Sequence, residues 1–171
     1  RTFDGTAILF WRATVSKIVI GLIVATGAEV AGLAYWLHLL QQEAWVTSFL
    51  ALIAGEAVEW SLLATLIVQT GASNPNLSGH VRGTLVKTAL IIFSESLLWV
   101  CWVALIDRLG FAASTLLLLL LMHVKHGGAI AVYTGRPMAA DIFDISSIAA
   151  TVLEVSGAAI FYQLYFQGQA T

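Results

Sequence analysis

Five runs of mostly apolar residues, each about 20 residues or longer, limit what this chain can fold into. Runs of that length are long enough to cross a bilayer as helices, and spans are expected at about 18–40, 44–68, 85–106, 111–133 and 142–166. Composition agrees: of 171 residues, 59% are hydrophobic and 11% are charged, whereas soluble domains carry about 25% charge. No polar half is left over to form a separate soluble domain. The expected fold is therefore all-α, a polytopic integral membrane helical bundle of five transmembrane helices, with residues 1–171 as a single domain. The net charge of -2 and the lack of a basic tract argue against a nucleic-acid partner. Membrane lipids are the expected surroundings.

Between the spans lie short polar punctuations. Gln41-Gln42-Glu43 is a tight turn, so the second helix must return antiparallel beside the first. The stretch 70–79 is full of turn formers, Asp107-Arg108-Leu109-Gly110 reverses the chain, and Thr134-Gly135-Arg136-Pro137 breaks the fourth helix. Residues 3–16 mix aromatic, aliphatic and charged side chains and read as a short interfacial helix or the start of the first span. The first long apolar run is too long for a cleavable signal peptide and carries Glu29. Leu164-Tyr165-Phe166-Gln167-Gly168 is similar to the core of a viral protease recognition site, and it also suits a native aromatic belt.

Basic residues predict an orientation. With five spans, Arg1, Arg12, Lys17, Arg82, Lys87 and Arg136 fall on one side of the membrane and Arg108 alone on the other. This bias places the N-terminus in the cytoplasm and the C-terminus outside. The glycosylation acceptor pattern Asn76-Leu77-Ser78 then lies on the wrong side and is discounted.

The apolar runs share one anomaly. Each carries an ionisable group near its middle, where such a group costs roughly 3 kcal/mol or more and marks a site by default. Glu29, Glu95 and Glu154 sit about 11 to 13 residues into their spans, as do Glu56 on the second helix and His123 on the fourth. Glu59 and His126 follow one turn later and share a face with Glu56 and His123 respectively. At this spacing all seven groups fit a slab roughly 5 to 8 Å thick.

Charge then narrows the chemistry. Five ionised glutamates would face one positive charge, on Lys125, and the excess cannot stand unpaired in hydrocarbon. Two divalent metal ions would balance it. Protonation is the other route, because burial favours the neutral carboxyl group. Carboxylates and imidazoles together suit iron first, with manganese or zinc as alternatives. The metal-ligand candidates are Glu29, Glu56, Glu59, Glu95, His123, His126 and Glu154, with Lys125 as a counter-ion or a snorkelling side chain. Paired ligands at i, i+3 resemble the logic of four-helix di-iron carboxylate proteins, where glutamates and Glu-x-x-His pairs enclose two metals. The pairs here are Glu-x-x-Glu and His-x-x-His, so the resemblance is one of principle.

Blander readings stand beside each candidate. A lone central glutamate is more often a protonated hydrogen-bonding group between helices, and the histidines could simply pack. Ser94 and Ser96 could support Glu95 or line a helix contact. His38 reads as interfacial, His80 as a solvated loop residue, and Cys101 as packing. Trp45, Trp99 and Trp102 read as belt or packing residues, while Trp36 and Trp60 could shape a cavity.

Three functions compete. The first is a membrane-embedded metalloprotein with a Glu/His dinuclear site, an oxidoreductase acting on a lipophilic small molecule. The second is a proton or divalent-cation transporter or channel, although a relay should string its acids along the membrane normal. The third is a non-catalytic subunit of a larger membrane complex, or a homo-oligomer, with the acids bonded to partner helices. Haem on His123 or His126 is weaker, because the acid excess does not help haem. No phosphate loop or nucleophile elbow is present.

Overall fold

The computed structural model describes residues 5–69, 81–134, 142–143 and 145–167. They form α1 (Gly5–Gln41), α2 (Trp45–Gln69), α3 (Val81–Leu109), α4 (Phe111–Thr134) and α5 (Ile145–Tyr162), which runs on as a π-helical turn, Gln163–Gln167. No strand occurs among the described residues. The chain is an all-α bundle with five helices long and apolar enough to cross a membrane, at Ile23–Gln41, Trp45–Leu63, Leu85–Leu109, Phe111–Tyr133 and Ser147–Gln167.

The first helix begins at Gly5, so the described part of the 3–16 stretch continues α1 and forms no separate interfacial helix. No proline or turn cluster interrupts it. Regular helix in α5 starts at Ile145, a little later than expected. The 70–79 loop, His80, Asn76-Leu77-Ser78, Arg136 and Pro137 lie outside the described residues.

Two tight turns follow from backbone chemistry. After α1, Glu43 takes a left-handed conformation (φ 58°), and the amides of Gln42, Glu43 and Ala44 donate back to the carbonyls of His38, Leu40 and Leu39. Between α3 and α4 the left-handed position (φ 80°) is filled by Gly110, whose N–H donates to Ile106 O at 2.9 Å.

Sequential neighbours pack, and α5 returns to α1, so the five helices close a ring. The α1–α2 pair is drawn together by Gly32 and Gly55: a Cβ on Gly32 would stand 3.4 Å from the Gly55 Cα. Small residues at such crossings let backbones meet where lipid supplies no hydrophobic drive. The outer surface is rich in apolar side chains, with Leu90, Leu97, Leu120, Val124 and Leu153 exposed. Cys101 is also exposed.

Inside the ring, packing is layered. Toward the two tight turns lies an aromatic layer of Trp36, Trp99, Trp102 and Tyr162, with Leu37, Leu52, Leu118 and Met122 buried among them. Trp102 lies edge-on to Trp99 and against Phe111 and Tyr162. The π-helical turn belongs to this layer. Tyr165 stacks on Phe161 and reaches the His38 ring, Phe166 stacks on Tyr162, and Gln41 donates to Tyr165 O at 2.8 Å. At the other end a smaller group, Trp60, Ala129 and Tyr133, packs with Leu63, Ile91 and Ile92. The acids lie between these two layers.

Candidate metal centre

All five helices contribute to the middle layer. Glu29 comes from α1, Glu56 and Glu59 from α2, Glu95 from α3, His126 from α4 and Glu154 from α5, and each is 8% exposed or less. They form two overlapping groups. Glu95, His126 and Glu154 offer ligand atoms all within 4.8 Å of one another, and so do Glu29, Glu56, Glu59 and Glu95. Glu95 belongs to both and is the joint between them.

Glu95 is also the best-partnered acid. His126 Nε2 lies 2.7 Å from its Oε1. Trp60 Nε1–H donates to Oε2, and the Lys125 ammonium pairs with the same oxygen. Lys125 stands over the Trp60 ring, 4.4 Å from its centroid, a cation–π contact that holds the ammonium beside Glu95. Lys125 is thus the counter-ion of one named carboxylate, buried rather than snorkelling, with its side chain 11% exposed. The Trp60 ring in turn stacks on Tyr133, whose hydroxyl bonds Thr88 Oγ1 at 2.6 Å.

The other acids are poorly provided for. Glu29 Oε1, Glu56 Oε2, Glu59 Oε2 and Glu154 Oε1 are buried and met by no N–H or O–H donor. A buried carboxylate oxygen without a partner is costly, and several pointing into one space cost more because like charges repel. Lys125 supplies one positive charge against five acids. A metal cation can satisfy several of these oxygens at once, and carboxylate with imidazole is a donor set that transition metals accept. The residues present fit such an ion: the buried Glu/His groups could hold a metal.

Two expected groups lie elsewhere. His123 falls outside both ligand groups; its Nε2–H donates to Ile142 O at 2.7 Å. Gly127, one turn along α4, gives the same segment room, since a Cβ there would come 2.7 Å from the Ile142 side chain. His123 and Gly127 together seat the segment that leads into α5. Ser94 bonds its own helix, at Ile91 O, and is exposed, whereas Ser96 is buried beside Glu95 with no hydrogen-bond partner for its hydroxyl. His38 sits near the end of α1, where the Gln42 side-chain amide donates to it.

The fold also recruits residues that the sequence did not single out. Thr151 Oγ1 lies 3.0 Å from His126 Nδ1 and donates to Ser147 O. A signal existed: Ser147, Thr151 and Glu154 follow the i, i+4, i+7 spacing of one helix face. Tyr133 acquires its role only through packing against Trp60, and Trp60, expected to shape a cavity, instead donates to Glu95. Compared with protein families, curated proteins and solved structures, the chain matches none.

Proposed function

We propose that this protein is a membrane-embedded metalloprotein whose acid layer holds two divalent cations, and that it acts as an oxidoreductase on a lipophilic small molecule. The observation that carries the reading is the sharing of Glu95 between two groups of ligand atoms. Glu95, His126 and Glu154 would hold one ion, and Glu29, Glu56, Glu59 and Glu95 the other, with Glu95 as the bridge. Two divalent ions and Lys125 would balance the five carboxylates. The donor set favours iron, with manganese or zinc as the alternatives.

When bound, such a metal pair supplies electron transfer to or from a substrate. The chain's own residues do the rest. Trp60 and Lys125 fix Glu95 from one side, so its carboxylate cannot swing away. The aromatic layer excludes water from the end of the site nearer the tight turns. The site is ringed by helices long and apolar enough to cross a membrane, which supports a substrate that approaches through the bilayer. The basic-residue bias supports an N-terminus in the cytoplasm.

The test is metal analysis of protein purified in detergent. About two equivalents per chain are expected from the charge balance. Less than about half an equivalent of iron, manganese or zinc removes the reading. Metal that stays in one oxidation state through cycles of dithionite and air leaves a metal site and removes the oxidoreductase. A transport path is the second reading. It is disfavoured because the acids gather into overlapping groups instead of forming a file through the bundle. Cation flux into liposomes that disappears in Glu56→Gln would reverse that preference.

A further inference from the structure

An imidazole that binds a metal must offer a bare nitrogen, and its other nitrogen must hold the proton elsewhere. His126 faces two acids through Nε2, at 2.7 Å from Glu95 Oε1 and 3.5 Å from Glu154 Oε2. Its Nδ1 faces the Thr151 hydroxyl at 3.0 Å. Which nitrogen carries the proton is decided one bond further out. Thr151 Oγ1 is also 3.0 Å from Ser147 O. A carbonyl oxygen only accepts, so the single hydroxyl hydrogen of Thr151 is committed to Ser147. The hydroxyl oxygen is then left to accept, and the group opposite it, Nδ1, must donate.

We propose that Thr151 is a positioning residue that keeps the proton of His126 on Nδ1, so that Nε2 presents its lone pair to a cation held together with Glu95 and Glu154. The inference rests on the metal reading for its purpose, while the hydrogen-bond relay stands on its own geometry. Thr151 is 1% exposed, so no bulk water replaces its hydroxyl if it is removed. Position 151 belongs to α5 and His126 to α4, so the relay also sets how the ring is rotated. Glu95 and Glu154 lie on the Nε2 side. Without metal the 2.7 Å contact with Glu95 Oε1 needs a hydrogen between the two atoms, and a bound cation would take that hydrogen's place, while the Nδ1 hydrogen stays with Thr151. The Trp60 ring is tilted 6.2 Å away.

The experiment titrates Mn²⁺ alone into metal-free, detergent-solubilised protein and follows loss of the free-ion resonance. Thr151→Val, which keeps the shape and removes the hydroxyl, is expected to weaken binding about 10- to 100-fold. Thr151→Ser, which restores the hydroxyl, is expected to bind as wild type does. Val binding as tightly as wild type, or Ser binding as weakly as Val, overturns the proposal. Nitrogen NMR of histidine-labelled wild type supplies a readout that needs neither metal nor the Val variant to fold. A protonated Nδ1 at His126 supports the assignment, and a bare Nδ1 overturns it. Wild type that binds no Mn²⁺, zinc or iron removes the metal reading, and the nitrogen spectrum then decides the Thr151 relay separately.

Discussion

Near the turns that end α1 and α3, the ring interior is filled by Trp36, Trp99, Trp102 and Tyr162. A few helical turns away, the same five helices turn Glu29, Glu56, Glu59, Glu95, His126 and Glu154 toward one another. The aromatic layer is held by ring contacts, edge-on, tilted or stacked, and leaves the Trp99 indole N–H without a hydrogen-bond partner. The acid layer leaves four carboxylate oxygens without a donor. One layer is dominated by apolar contact, as a scaffold requires. The other keeps groups that packing alone would discard, which is why we assign it the function.

The largest separation of the two layers should come from Glu95→Ala. It leaves Lys125 buried without its carboxylate and removes the acceptor for Trp60, so the metal-free protein should lose about 3–5 kcal/mol, and retained metal should fall to background by elemental analysis. A variant that keeps its metal would show that Glu95 is no bridge. Trp102→Ala should cost a similar or slightly smaller amount, about 3–5 kcal/mol in reversible unfolding, with metal content per folded chain unchanged. If the site empties as well, the layers are not independent.

Gly32→Val probes the link between them. Gly32 and Gly55 set the α1–α2 distance, and Glu29 and Glu56 lie within one turn of that crossing. A branched side chain there should cost about 1–3 kcal/mol and also weaken metal binding, measured together on one preparation. His123→Phe removes one hydrogen bond to the segment before α5 and should cost about 0.5–1.5 kcal/mol with metal retained. Loss of metal would draw His123 into the acid layer of the loaded protein. Leu120→Ala, on the lipid-facing surface, should stay within about 0.5 kcal/mol, and a larger loss would mean that another helix covers that face.

Much of this was legible in the sequence for simple reasons. Apolar runs of membrane length give the spans, and counting residues from each span's end puts the acids at one depth, because helical rise is fixed. Depth is not azimuth, however. His123 shares the depth of the others, yet a carbonyl on the segment before α5 takes its ring, and no periodicity within α4 announces that acceptor. Lys125 could be read only as a counter-ion or a snorkelling group, since its choice of Glu95 depends on how α3 and α4 are rotated against each other. Thr151 carries no signal in the sequence beyond its spacing from Ser147 and Glu154, because threonine in a membrane helix usually bonds its own backbone, which it also does here. Of the two readings of residues 3–16, the start of the first span holds for the described part, where no helix breaker interrupts α1.

The ring has a consequence for how the molecule comes into being. The helix that closes it, α5, is the last of the five to leave the ribosome, and it carries Glu154 and Thr151. Until it inserts between α1 and α4, the acids of the first three helices face an open flank and His126 lacks its relay. The group made by Glu29, Glu56, Glu59 and Glu95 needs only the first three helices, whereas the group made by Glu95, His126 and Glu154 is complete only once α5 is in place.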